Sequence, residues 1–280
     1  MEKNSAVVAV DLGGTNIRAG IQSGGVIIEQ NRVSLHAMAS QEETLQQLKD
    51  LLRSLVRPGT RGIGVGVPSV VDVENGIVFN VVNIPSWIRV ELRSILEDEF
   101  HVPVFVNNDV NCFVLGEHRF GNAKPYSSFV GLTLGTGLGS GIIINNELYM
   151  GANCGAGEIG YLPYLDRNLE FYCSSGFFSQ KYQTTALQVF EDAGKGDKEA
   201  LRIWAEFGGH VGNAIKAVAY AFDPQAVILG GSISKAYPYF EPRMKEALED
   251  FLFPESMKKL RILLSVNENI QLLGAAALVR

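Results

Sequence analysis

Four glycines alternate with other residues in Leu134-Gly135-Thr136-Gly137-Leu138-Gly139-Ser140-Gly141, and the β-branched run Ile142-Ile143-Ile144 follows at once. That run calls for a strand, whereas a dinucleotide-binding turn has to open a helix. The glycine segment therefore joins two strands. Such a turn offers a nest of backbone amides to an anion, with Gly135, Thr136, Gly137 and Gly139 as candidate phosphate contacts. The same pattern also suits a purely structural glycine-rich hairpin. No P-loop of the form GxxxxGK[ST] occurs.

A matching turn opens the chain. Asp11-Leu12-Gly13-Gly14-Thr15-Asn16 joins the apolar stretches Ala6 to Val10 and Ile17 to Gln22. Gly13 and Gly14 let the backbone approach a ligand that any Cβ would obstruct, and Thr15 adds a hydroxyl. Asp11, ending a hydrophobic strand, suits Mg²⁺ held through water, and Asn16 completes the set. A tight β-turn with Asp and Asn as turn formers explains the same residues. A third glycine turn, Gly230-Gly231, closes the strand Ala226 to Leu229 after Asp223-Pro224. The carboxyl ends of strands are where α/β proteins bind ligands, so adenosine is expected there, although Gly-Gly after a strand is also plain punctuation.

Around these turns the chain reads as two α/β units of related plan. Ala6 to Val10, Ile17 to Gln22 and Val26 to Gln30 predict a three-stranded meander. Ser40 and Glu43 form a capping box ahead of Leu45, Leu48, Leu51, Leu52 and Leu55 at helical spacing. Strands are expected at Ile63 to Val67 and Val102 to Val106, flanking a helix from Val90 to Phe100. Ser128 to Leu134 and Gly141 to Asn145 repeat the strand-turn-strand opening. Helices are expected near Phe177 to Asp192 and Lys198 to Phe222, then a strand at Arg261 to Val266 and a helix at Ile270 to Val279. The lobes are placed at residues 1–109 with about 268–280, and 110–267.

Composition excludes several functions. Glycine, at 30 of 280 residues, exceeds the average of about 7%, and the clusters above hold much of the excess. A net charge of −6 leaves no broad basic face for nucleic acid. No apolar run reaches the roughly 18 residues that span a bilayer, and the first residues lack the features of a secretory signal, so a cytoplasmic protein with no membrane partner is expected. Cys112, Cys154 and Cys173 are far apart and supply no zinc-knuckle spacing.

With its motifs in this order, the chain resembles the ROK family of bacterial sugar kinases, within the actin-like, hexokinase-like and heat-shock ATPases. The resemblance is carried by Val10 to Asn16, Asn108-Asp109-Val110-Asn111, Leu134 to Gly141, Gly151-Ala152-Asn153 through Gly157-Glu158-Ile159-Gly160, and Asp223-Pro224 through Gly230-Gly231. It implies two actin-like lobes with a cleft between them, ATP and Mg²⁺ bound there, and transfer of the γ-phosphate to a hydroxyl of a hexose or N-acetylhexosamine, a glucokinase-like activity being favoured. Phosphoryl transfer asks mainly for positioning, charge neutralisation and one group to take the hydroxyl proton. The resemblance gives that base role to Asp109, which as a residue suits equally the N-cap of a helix starting near Val110. It also places Asn83, Asn108 and Glu158 at the sugar. Spacing to Cys173-Ser174-Ser175-Gly176 aligns Glu170 with the family's second sugar-binding glutamate, although a glutamate there also reads as a solvated surface residue. Tyr161 stands where the family has a histidine, and the family's cysteine cluster is missing, so its structural zinc is expected to be absent. Homodimers occur among relatives. The rival reading is a sugar-sensing or transcriptional-regulatory ROK protein. Such repressors carry a winged helix ahead of the first hairpin, which here begins at Ala6.

Overall fold

The structure is a computed structural model that describes residues 6–81 and 83–279. Val82, first residue of the Val82-Asn83-Ile84-Pro85 motif, lies outside the described residues. In chain order the elements begin with strands β1 (Val7–Leu12), β2 (Asn16–Ser23) and β3 (Val26–Ser34), helix α1 (Gln41–Arg53) and β4 (Ile63–Val67). Then follow β5 (Val70–Asp72), β6 (Ile77–Phe79), β7 (Arg89–Val90), α2 (Leu92–Phe100), β8 (Val104–Asn108) and α3 (Asp109–Phe120). Next come β9 (Phe129–Leu134), β10 (Leu138–Ile144), β11 (Glu147–Leu148), β12 (Pro163–Tyr164), β13 (Arg167–Asn168) and α4 (Leu169–Cys173). The chain ends with α5 (Ala186–Gly194), α6 (Lys198–Phe222), β14 (Ala226–Gly230), α7 (Tyr237–Glu246), α8 (Pro254–Lys259), β15 (Arg261–Leu264) and α9 (Ile270–Ala276).

Contacts divide the chain into two compact units. The first takes Met1–Lys124, Glu147–Ala156 and Asn267–Arg280; the second takes Pro125–Asn146 and Gly157–Val266. The first unit is built on a sheet of order β3-β2-β1-β4-β8. β1, β2 and β3 are antiparallel, giving the expected meander, while β4 pairs parallel with β1 and β8. Val7 to Val10 and all of β4 are buried, as befits central strands covered on both faces. On α1 the capping box forms as read, with Glu43 N–H on Ser40 Oγ at 3.2 Å and Ser40 N–H on the Glu43 carboxylate at 2.9 Å. Its Leu45, Leu48, Leu51 and Leu52 are buried.

The expected lobe boundary at residue 109 would have sent α3 to the second unit, but α3 stays with the first. Cys112 of α3 shares one apolar cluster with Val7 and Ala9 of β1 and with Leu272 and Ala275 of α9. α9 docks at backbone distance, since a Cβ on Gly274 would lie 1.6 Å from Cys112 O. The return of Glu147–Ala156 to this unit has no counterpart in the sequence reading.

In the second unit β10, β9, β14 and β15 are consecutive in one sheet, β10 antiparallel to β9 and β14 parallel to both β9 and β15. The 25-residue α6 opens on Asp197, whose side chain accepts Ala200 N–H at 2.8 Å, and buries Trp204, Phe207, Val211 and Ile215. The single helix expected over Phe177 to Asp192 is instead a π-helical turn, Phe177–Lys181, then a break, then α5. Gln183 in the break has φ +52°, and Thr185 Oγ1 restarts the helix by accepting Gln188 N–H at 3.1 Å. No described helix is long and apolar enough to cross a membrane.

Candidate active site

The candidate residues sort into two constellations, one in each unit. In the first unit the β1–β2 turn closes on itself, Gly13 N–H donating to Asn16 O at 2.9 Å and Asn16 Nδ2 to Thr15 Oγ1 at 2.8 Å. Thr15 is exposed at the tip. Asn83, brought in from the loop after β6, lies against this turn: a Cβ on Gly14 would come within 2.6 Å of Asn83 Nδ2, which is why glycine stands there.

Asp11 faces Arg18 across the hairpin register. The guanidinium donates to Asp11 Oδ2 from Nη2 at 2.7 Å and from Nε at 3.1 Å, while its Nη1 reaches Glu268 O at 3.2 Å. Sequence reading missed Arg18, although counting back from the turn pairs it with Asp11. Because both contacts fall on Oδ2 and Arg18 offsets the charge, Asp11 fits a Mg²⁺ held through water better than one ligated directly.

Asp109 is the first residue of α3, and the cap left open for it belongs to Asn108. Asn108 Oδ1 accepts from Val110 N at 2.8 Å and Asn111 N at 3.2 Å, and its Nδ2 donates to Ser69 O at 3.3 Å. Asp109 is half-buried, its Oδ1 accepting Val110 N–H at 2.9 Å, at the helix end whose partial positive charge suits a carboxylate. Beneath it, buried Asn107 is a further positioning residue that sequence reading passed over. Its Oδ1 accepts from Asn108 N at 2.8 Å and Asn111 Nδ2 at 3.0 Å, and its Nδ2 donates to Met150 Sδ at 3.3 Å. Burial first, then the charges of Asp109 and Asp11, push the Cys112 thiol well above its usual range. Both carboxylates therefore lie within electrostatic reach of one buried sulfur.

In the second unit the tip of the β9–β10 hairpin, Gly135 to Gly137, is held by side chains and backbone from elsewhere. Glu170 Oε2 accepts Leu138 N–H at 3.2 Å, and a Cβ on Gly137 would lie 2.5 Å from that oxygen. Ser175 N–H donates to Gly135 O at 2.8 Å and its hydroxyl to Thr136 O at 3.2 Å. Thr136 is exposed, and a Cβ on Gly135 would meet only open space. Gly139 is not at the tip; it pairs with Thr133 inside the ladder. Gly230 ends β14 opposite Thr133, and Gly231, at φ +85°, leaves only 2.3 Å between a would-be Cβ and Leu134 O. Both glycine motifs of this unit thus meet at the end of β9.

Glu158, Tyr161 and Glu170 come together here, although 12 residues separate the two glutamates. Partial burial, then the charge of Glu170, hold the Glu158 carboxyl above the usual carboxylate range. Tyr161 is raised by Glu170 first, then by burial and Glu158. Ser140 Oγ donates to Gly157 O, tying the stretch before Glu158 to β10. The segment bearing Glu170 rests on α6, where Tyr164 Oη shares a hydrogen bond with His210 Nδ1 at 3.1 Å and accepts from Asn213 Nδ2 at 3.0 Å. Burial holds His210 below its ordinary value despite Glu206 nearby. A cavity of about 600 Å³ opens beside Glu170, running from Thr136 and Tyr161 out to Arg167, Ser179 and Gln180. Among the described residues no group of three or more His, Cys, Asp or Glu gathers as a metal site.

The model of the ROK family matches residues 7–280. A glucokinase of Thermotoga maritima is 28% identical, the match covering 98% of this chain and 97% of that protein. A xylose repressor of Bacillus spizizenii is 30% identical over 79% of this chain and 61% of its own length. Among solved structures, a ROK family glucokinase from Streptomyces griseus, in complex with glucose and AMPPNP, superposes with a TM-score of 0.84 at 24% identity, covering 98% of each chain. The fold is the actin-like ATPase fold of these sugar kinases.

Proposed function

We propose that this chain, which belongs to the ROK family, is an ATP-dependent kinase that phosphorylates a hydroxyl of a hexose or N-acetylhexosamine, a glucose-like hexose being favoured. Asp109 accepts the proton of the attacking hydroxyl, a role worth about 10²- to 10⁴-fold in rate. Asn83, Asn108, Glu158, Tyr161 and Glu170 hydrogen-bond the remaining hydroxyls. Glu170 already spends one oxygen on Leu138 N–H, so its second oxygen serves the sugar. The two glycine turns, with Thr15 and Thr136, hold the phosphates, and Gly230-Gly231 borders the adenosine. Mg²⁺, reached through water from Asp11, would neutralise charge on the transferring phosphoryl group.

The observation that carries this reading is the division of labour at the head of α3. Asn108 is the N-cap of α3 and accepts from both Val110 N and Asn111 N, so Asp109, whose Oδ1 only shares Val110 N–H, is not needed as the cap. ADP release measured over a panel of hexoses and N-acetylhexosamines tests the activity. Asp109→Asn is expected to keep ATP and sugar binding while lowering turnover by at least about tenfold; unchanged turnover removes Asp109 from the role. The 30% identity to a xylose repressor supports one alternative, a sugar-binding regulator. Tight sugar binding with no ADP from any sugar would decide for it.

A further inference from the structure

We propose that His210 is a positioning residue for the sugar site: its neutral ring accepts the Tyr164 O–H, pins segment 164–177 to α6, and so keeps Glu170 on the β9–β10 tip. That Glu170 meets a sugar rests on the proposed function; that His210 holds Glu170 does not.

The direction of each hydrogen bond follows from one carbonyl. Gly209 O can only accept, so the atom 2.9 Å from it is the Asn213 amide nitrogen, and that same nitrogen donates to Tyr164 Oη at 3.0 Å. Tyr164 Oη thus accepts from Asn213, and its single proton goes to His210 Nδ1 at 3.1 Å. An imidazole that accepts at Nδ1 carries its proton on Nε2 and is neutral. Nε2 is buried without a hydrogen-bond partner among the described residues, and Glu206 Oε1, one turn back on α6, stands 3.8 Å away.

The ring is where three parts of the segment meet. Tyr164 of β12 stands edge-on to it at 5.7 Å between centroids, Tyr172 of α4 packs on it at 4.6 Å, and Phe177 of the π-helical turn at 5.5 Å. Between them Asn168 caps α4 by accepting Phe171 N–H at 2.9 Å, which sets Glu170 in the first turn. Glu170 then reaches Leu138 N–H, and Ser175 holds Gly135 and Thr136. Both props of the hairpin tip therefore lie between residues that touch His210.

Charge around the ring comes from several elements. Glu206 and Lys181 act on it directly, and Glu206 is shared with Tyr182 and Arg202. α4 brings Tyr172, bonded to Asp166, and Cys173, which acts on Tyr164. α7 brings Arg243 against Gly209, paired with Glu246, and α5 carries Glu191 and Asp192, the latter paired with Lys195. Burial outweighs the pull of Glu206 and holds the ring below its ordinary 6.5. A second proton would land on Nδ1 and set two donors against each other. What the neutral ring contributes is thus full above 6.5 and is lost as pH falls through the lowered value.

Three variants of the full chain test this. Tyr164→Phe removes the donor, His210→Phe removes the acceptor, and His210→Asn keeps an acceptor near Nδ1 that does not titrate. Amide exchange at Leu138 should quicken about fivefold or more in both phenylalanine variants, stay unchanged at Gly13, and return toward the wild-type rate in His210→Asn. The double phenylalanine variant should be no worse than either single one. KM for glucose should rise about fivefold with kcat within about twofold. From about pH 7 to about pH 5, glucose binding should weaken more in the wild type than in His210→Asn, a difference in which the titration of Glu158 cancels. The proposal is overturned if Leu138 exchange is unchanged in Tyr164→Phe, if the two phenylalanine effects add, or if the wild type and His210→Asn share one pH profile. Should His210→Phe not fold, the Tyr164→Phe readings decide. If no sugar yields ADP while Leu138 still responds to Tyr164→Phe, the kinase reading fails and the role of His210 stands.

Discussion

The two glycine hairpins are held in shape by opposite means. The β1–β2 turn is shaped mainly by its own residues: Gly13 bonds Asn16, Asn16 bonds Thr15, and Asp11 meets Arg18 across the same pair of strands. The β9–β10 turn is propped from outside, by Glu170 and Ser175 from more than thirty residues downstream and by Gly231 packed behind Leu134. A turn that closes on itself tolerates change around it. One that borrows its supports couples its shape to the segment that supplies them, and here that segment also carries Glu158, Tyr161 and Glu170, the residues we propose for the sugar.

Breaking the borrowed supports should therefore cost more than disturbing the β1–β2 turn. Gly231→Ala meets a backbone oxygen at 2.3 Å in a left-handed conformation and should lose about 2–4 kcal/mol of stability in urea denaturation. Gly14→Ala meets the side chain of exposed Asn83 and no backbone atom among its nearest neighbours and should lose about 1 kcal/mol or less; equal losses would erase the distinction. Next in size, Glu170→Ala leaves Leu138 N–H without its acceptor, at about 1–3 kcal/mol. Amide exchange should quicken at Leu138 and stay unchanged at Gly13, and parallel changes at both would mean that the hairpins are not independently supported. The smallest effect is electrostatic. Glu170→Gln removes the charge that helps raise Glu158 above its ordinary 4.5, so its titration, followed by carboxyl carbon NMR, should move down but not fully, burial being the larger cause. A raised carboxyl stabilises the fold fully below its ordinary value and loses that contribution as pH rises through the raised one. The decline in stability across that window should be shallower in Glu170→Gln.

The same contrast explains what the sequence made legible. Asp11 to Asn16 could be read because the bonds that shape the turn, Gly13 to Asn16 and Asn16 to Thr15, lie within a few residues, and the capping box on α1 likewise needs only Ser40 and Glu43. β9, β10 and β14 followed from β-branched runs bounded by glycine. Asn108 as the cap of α3 was not separable from Asp109, since both residues cap helices well and only backbone geometry chooses between them. The bracing of Leu138 by Glu170 joins residues 32 apart, and no local pattern reports a contact of that kind. The break at Gln183 was missed because Phe177 to Asp192 keeps helical spacing across it, and only the positive φ reveals the interruption. The return of Glu147–Ala156 to the first unit, with Met150 bonded to Asn107, was hidden for the same reason.

α9, wedged against α3 with no room for a side chain at Gly274, has a consequence for how the protein is made. The sheet that carries Asp11 and leads into Asp109 is translated before the second unit, yet its outer cover, α9, follows that unit in the chain. A nascent chain stalled before residue 270 would hold Val7, Ala9 and Cys112 open to water, so the first half must wait, incomplete, while the whole second unit is synthesised.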